Sequence, residues 1–304
     1  MSPSYKKIAV RLLQAVTVAL IGMYFIDMYK SASALRVSFS CYHLQSLFLS
    51  IVFISLGFFL LPVPTLILLR AAGKNVSFTG SMKIFFFSQV GKYVPGKVWV
   101  AVGRVLMYAK LGVGRERAIF ILALELVLMV GIALIFTGGI IARYITLRPR
   151  LFAIILCGVL IAFFLMARKQ RITPKTIREF ITIFSIPVMI VCICFILYWG
   201  LLGLGFQHLI LYFTQINIGF FPAMQIFSGS WAAGFLAFFM PVGLGVREVF
   251  MTEALIHLIG NENAVMIAIV SRIWWTIIES LFIVASSGKM FFEFLRTNAL
   301  PEVS

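Results

Sequence analysis

Ser88-Gln89-Val90-Gly91-Lys92-Tyr93-Val94-Pro95-Gly96-Lys97 decides how this chain is organised. The apolar stretches on either side, Ile84–Phe87 and Val98–Val102, are too short to cross a bilayer, which takes about 20 residues of helix. A Pro-Gly pair between lysines cannot continue a lipid-facing helix. Proline removes a backbone donor, and an ammonium group is costly in hydrocarbon. The stretch therefore predicts two half-helices meeting at a break, in a re-entrant or surface hairpin.

Outward from this break the chain is strongly apolar. Of its 304 residues 62% are apolar and 12% are charged, with a mean hydropathy of +1.07. Soluble domains sit near half apolar and a quarter charged. The composition excludes a soluble globular or disordered protein and predicts an all-α, polytopic membrane bundle. Six full spans are expected. The first runs from Ile8 to Ile26 behind Lys6 and Lys7, and reads as a retained span rather than a signal peptide. The second runs from Leu44 to Leu69, where Pro62 and Pro64 should kink it or end it early. The others are Ala118 to Ala142, Leu151 to Ala167, Ile183 to Phe206 and Ala264 to Gly288. Residues 207–221 are mixed and carry no Lys or Arg. A second broken unit lies between Pro222 and Ile259, with its turn at Pro241-Val242-Gly243-Leu244-Gly245-Val246-Arg247-Glu248.

The charge balance is +16. No basic domain stands apart from the spans, so nucleic acid is not an expected partner. Anionic lipid headgroups are. With a cytoplasmic N-terminus, segments 1–11, 70–117, 168–178 and 289–304 fall inside and hold 19 Lys and Arg, against 5 in the outer loops. The positive-inside bias thus predicts a multi-pass protein of the cell (inner) membrane with both termini cytoplasmic. It also puts the two breaks on opposite sides.

An offset of 146 suggests an internal repeat. It carries Pro95 to Pro241, Gly114 to Gly260, Glu116 to Glu262 and Ala118 to Ala264, and it takes Glu125 to Ser271, beside Arg272. The expected units are about 44–142 and 183–288, inverted relative to each other. Inverted repeats with discontinuous helices are the architecture of alternating-access carriers.

Few residues could carry chemistry. Cys41, Cys157, Cys192 and Cys194 form no CxxC, and His43, His208 and His257 stand alone, so neither a metal site nor a disulfide framework is read. No nucleophile elbow, P-loop or paired histidine set is present, and neither an enzyme nor a cofactor is expected. Glu125 lies within a span, where a carboxylate costs about 2.5–3.5 kcal/mol, so it should face protein or water. It reads equally as a path-lining residue or as the structural partner of an arginine. Arg272 and Glu279, seven apart, share a helical face. Either of them, with Glu125, could line a path or couple it to protons. Trp274 and Trp275 read as interfacial anchors. Gly243 and Gly245 allow close backbone approach, and the helix N-terminus after them offers N–H groups to a phosphate, with Arg247 adding a bidentate contact. Lys92, Tyr93, Lys97 and Arg104 surround Pro95-Gly96. The plainer reading has the lysines touching the anionic inner leaflet.

Gly91-Lys92-Tyr93-Val94-Pro95-Gly96-Lys97-Val98-Trp99, followed by Gly103-Arg104, resembles the first signature of the lysylphosphatidylglycerol synthase transmembrane-domain family, also called flippase-like proteins. Pro241 to Glu248 is similar to its second signature, Pro-x-Gly-x-Gly-x-Arg-Glu. The resemblance is to a stand-alone member without a synthase or glycosyltransferase domain. It implies a membrane domain that moves lipid-linked cargo between leaflets, a phospholipid or a polyprenyl-phosphate-linked sugar. It marks Lys92, Pro95, Gly96, Lys97, Arg104, Arg247 and Glu248 as the positions to carry over. The competing expectation is a non-transporting scaffold that docks a glycosyltransferase or another envelope-assembly partner on its 70–117 and 168–178 surfaces.

Overall fold

A computed structural model describes residues 44–93, 98–144, 174–237 and 245–297. The described residues are helical, joined by short turns. The helices are α1 (Leu44–Leu60), α2 (Pro62–Ala71), α3 (Phe78–Gln89), a 3-10 turn (Val90–Tyr93), α4 (Val98–Lys110), α5 (Arg115–Tyr144), α6 (Pro174–Thr214), α7 (Phe220–Leu236), α8 (Val246–Ile259) and α9 (Asn261–Thr297).

Four stretches among the described residues are long and apolar enough to cross a membrane: Leu44–Ala71, Arg115–Gly139, Ile186–Thr214 and Asn261–Ser286. They fall where the sequence places its second, third, fifth and last spans. The first and fourth expected spans lie outside the described residues. Helices suit such segments because each satisfies its own backbone polar groups. The outer faces are apolar: Phe48 and Phe59 on α1, Ile186, Met189 and Leu197 on α6, and Leu281 and Val284 on α9 are exposed. Water would not tolerate that much apolar surface, whereas acyl chains would.

Pro62 and Pro64 do not end their span. Leu61 keeps helical dihedrals and its N–H reaches the Gly57 carbonyl at 3.1 Å, so α2 continues α1 with Pro62 in its first turn, where a proline is tolerated. The carbonyl of Pro62 accepts from the Ser81 hydroxyl at 2.6 Å. α6 begins at Pro174, inside the expected basic loop 168–178, and runs on past the expected end of its span at Phe206 to Thr214.

Contacts between particular residues give the relative directions of the helices. α1 and α6 pack antiparallel: a side chain at Gly57 would meet Leu202 and Tyr198, one at Gly205 would meet Ile54 and Ser50, and Phe53 stacks on His208. α5 and α7 also run antiparallel, with Thr137 against Gly229 and Gly139 against Gln225. So do α3 and α9, with Phe86 against Phe282 and Lys92 against Glu279.

One pair of helix starts matches at the offset of 146. α5 starts at Arg115 and α9 at Asn261, each after a glycine, Gly114 or Gly260, whose carbonyl accepts the first helical bond. The long helices α9 and α5 pack on α3 and α7 respectively. An aromatic seam crosses this arrangement. Phe58 of α1 touches Phe86 of α3, Trp275 and Phe282 of α9, and Trp275 touches Phe227 of α7.

Candidate functional site

Three clusters of charged side chains lie at helix–helix seams among the described residues. In the first, Arg104 of α4 donates from Nη1 to Glu125 Oε1 of α5 at 2.6 Å. Thr65 of α2 donates to Glu125 Oε2 at 3.0 Å, and Arg104 Nε donates to Ser88 Oγ of α3 at 3.2 Å. The guanidinium also lies over the Phe85 ring, 4.3 Å from its centre. Arg104 and Glu125 are 3% and 2% exposed. Four helices are thus pinned by one charge pair whose remaining hydrogen-bonding capacity is largely used. Arg104, counted in sequence with the cytoplasmic cations, is buried instead. Glu125 takes the structural role that the sequence left open.

In the second cluster, Lys92 of the 3-10 turn pairs with Glu279 of α9. Tyr198 of α6 is buried, close enough to interact electrostatically with Glu279 and Arg247. Its hydroxyl has no hydrogen-bonding partner among the described residues. The turn is held tightly. A Cβ at Gly91 would fall 2.8 Å from the backbone of Trp99 and Val100, so only glycine lets the turn lie against the start of α4.

The third cluster surrounds the start of α8. Gly245 has φ +82°, the left-handed region that favours glycine, and its N–H donates to Glu248 Oε2 at 2.7 Å. The other oxygen of Glu248 accepts from Arg272 of α9. Arg247 is buried, with its guanidinium 5.0 Å from the Phe227 ring centre and 5.3 Å from that of Trp275.

These positions revise several expectations. Arg247 and Glu248 belong to the first turn of α8 rather than to the turn before it. The N-terminus of α8 is not open to an anion as the sequence suggested, because the carboxylate of Glu248 already accepts there. Arg272 and Glu279 share a face yet hold different partners. Trp275 is a core residue between Phe58, Phe227 and Arg247, not an interfacial anchor, while Trp274 donates to Ser50 Oγ at 3.2 Å. Lys92 and Arg247, expected at opposite membrane faces, are linked through Glu279 and Tyr198: Lys92 pairs with Glu279, and Tyr198 is within electrostatic reach of Glu279 and Arg247. Pro95, Gly96, Lys97 and Gly243 lie outside the described residues, as does the Tyr93 side chain.

Sequence reasoning missed Thr65, Ser88, Phe85, Tyr198 and Phe227. Hydroxyls in apolar helices give a weak signal, since they often bond the carbonyl one turn back. Thr137 and Thr276 do so, at 2.6 and 2.8 Å. No group of three His, Cys, Asp or Glu side chains among the described residues could hold a metal ion.

No protein-family model matches the chain, and a search of curated proteins finds no match. A functional reading therefore rests on the two signatures and on the geometry above.

Proposed function

We propose that this protein is a lipid translocase that carries a phospholipid or polyprenyl-phosphate-linked sugar across the cytoplasmic membrane. In this reading it is built from two inverted units and is akin to the flippase-like proteins its signatures resemble. One observation carries the reading. Lys92, from one break in the chain, pairs with Glu279, and both Glu279 and Arg247, from the other break, lie within electrostatic reach of the buried Tyr198. Discontinuous helices that bring polar groups together at the interface of two repeats form the usual substrate site of carriers. Buried ionisable groups in such a chain are costly and tend to be functional.

The antiparallel pairing of α1 with α6 supports the inverted relation, because the offset relates those two stretches. So does the exchange of contacts in which α9 packs on α3 while α5 packs on α7. Both units also tie a short arm to its long helix by a charge pair, with the signs reversed. Arg104 reaches Glu125 in one, and Glu248 meets Arg272 in the other.

The mechanism follows from the chemistry. A lipid phosphate enters between the units and is held by Lys92 and Arg247. Rocking of one unit against the other opens the seam to each leaflet in turn. Arg247 offers a planar donor pair that matches a phosphate edge.

Vesicles of phosphatidylcholine and phosphatidylglycerol carrying fluorescent phosphatidylglycerol, with membrane-impermeant quenching, measure the movement. Arg247→Ala is expected to slow it roughly 10- to 100-fold, the loss of one or two charge-assisted hydrogen bonds. Arg247→Lys should fall between the two. Undiminished movement by a folded Arg247→Ala protein would overturn the reading.

A further inference from the structure

Many buried hydroxyls in this bundle already have a partner. Thr65 donates to Glu125, Ser81 to the Pro62 carbonyl and Ser88 to that of Phe85, while Thr137 and Thr276 bond the carbonyl one turn back. Tyr198 differs. It is 1% exposed, and its hydroxyl has no hydrogen-bonding partner among the described residues. A serine or threonine on a helix can fall back on its own backbone. A tyrosine hydroxyl, at the far end of a ring, cannot. An orphaned buried hydroxyl is costly, and such a group calls for an explanation.

The ring is held in place. On α1 a Cβ at Gly57 would lie 3.7 Å from Tyr198 Cδ2. On α6 the ring meets that of Trp199 edge-on, 4.9 Å between centres. Trp199 is anchored in turn, donating from Nε1 to the Met129 carbonyl of α5 at 3.3 Å. A ring packed on two sides cannot swing its hydroxyl to a distant acceptor, so the acceptor has to come to it.

The surroundings say which acceptor fits. Phe58, next to Gly57, touches Trp275 of α9, and the Arg247 guanidinium lies against the same Trp275. Glu279 is one turn further along α9, on the same face, and pairs with Lys92. Glu279 and Arg247 both act electrostatically on Tyr198. Tyr198 thus stands by one cation and by the acid that the other engages. An anion drawn to those cations brings oxygen lone pairs, and a phenol O–H can satisfy one of them without adding charge.

We propose that Tyr198 is a cargo-binding residue, its hydroxyl donating a hydrogen bond to the phosphate of the carried lipid. This rests on the phosphate-carrier reading and names a further residue of its site. A buried donor of this kind also sets specificity, because a cargo without an acceptor leaves it unpaired. Tyr108 of α4 is the control. It is equally buried, but its electrostatic neighbours are Arg104 and Glu125, in the cluster that pins four helices.

Calorimetric titration of the full chain in detergent tests the assignment, with dihexanoyl-phosphatidylglycerol as ligand and dihexanoylglycerol as a probe that lacks the phosphate headgroup. Tyr198→Phe keeps the ring and removes only the hydroxyl. It should bind the phospholipid roughly 10- to 100-fold more weakly, the loss of one hydrogen bond to a charged group. Its affinity for dihexanoylglycerol and its thermal midpoint should stay where they are. Tyr108→Phe should bind both lipids as the unaltered protein does.

Unchanged phospholipid affinity in Tyr198→Phe, or a loss shared equally by dihexanoylglycerol, would overturn the assignment and leave the carrier reading standing. Dimethyl phosphate weakened by the same factor would support it, with a free phosphate as the anion. A folded, unaltered protein that binds neither the phospholipid nor dimethyl phosphate would overturn both the assignment and the carrier reading.

Discussion

Glu125→Ala is expected to destabilise the protein by about 3–5 kcal/mol, because it strands the Arg104 guanidinium among four helices. The loss is much larger than that of a surface pair, since neither charge reaches solvent. Thr65→Ala removes only a hydroxyl donor to the same carboxylate and should cost about 1–2 kcal/mol. Replacing both charges, as in Arg104→Met with Glu125→Leu, should recover most of what either single change loses. Apolar side chains of similar size pack well where a buried pair stood. Reversible unfolding in mixed micelles measures these variants. A loss below about 1 kcal/mol for Glu125→Ala would show that Arg104 finds water or another partner.

The second large effect is steric. A Cβ at Gly203 of α6 would lie 2.5 Å from Met224 Cβ and 2.7 Å from Met224 Cα of α7. Backbone cannot swing aside as a side-chain tip can, so α6 and α7 must separate. Gly203→Ala should cost about 1–3 kcal/mol, and Gly203→Leu more. Gly200, one turn earlier, is the control: the nearest atom to a Cβ there is the Phe220 ring tip at 3.9 Å. Gly200→Ala should be neutral, or stabilising by about 0.5–1 kcal/mol through helix propensity. Equal thermal midpoints for the two alanine variants would contradict the close approach of α6 and α7. Such contacts matter in membranes, where helices associate by packing rather than by water exclusion.

Much of the fold was legible because lipid imposes a length on apolar helices. The spans at Leu44, Ala118, Ile183 and Ala264 announce themselves by composition alone. Helices end at Gln89 and Leu236, ahead of the turns expected at Pro95-Gly96 and Gly243-Leu244-Gly245, where 94–97 and 238–244 lie outside the described residues. Other helix ends were less legible. Nothing in Gln207-His208 says that α6 runs on to Thr214, because polar residues can ride on a helix once it leaves the apolar zone.

Ionisable residues were found for the right reason, their cost in an apolar chain, but their partners were not. Glu125 and Arg104 are 21 residues apart and meet because α4 folds back on α5. Lys92 and Glu279 are 187 apart and meet because α3, which leads into the turn of Lys92, lies on α9. Pairing over such distances is a property of packing, which one sequence does not contain. Trp275 shows the same limit: its type suits a membrane interface, and only its neighbours show that it is core.

The fastening between Lys92 and Glu279 is lopsided. Shifted by the offset that aligns the two halves, it lands on Phe238 and Ala133, neither of which carries charge. In the proposed carrier the halves would be two doors hung alike, of which one alone has a catch. Swinging from one arrangement to its mirror counterpart would trade a seam closed by charge for one closed by oil alone, and the two ends of the stroke would differ in depth.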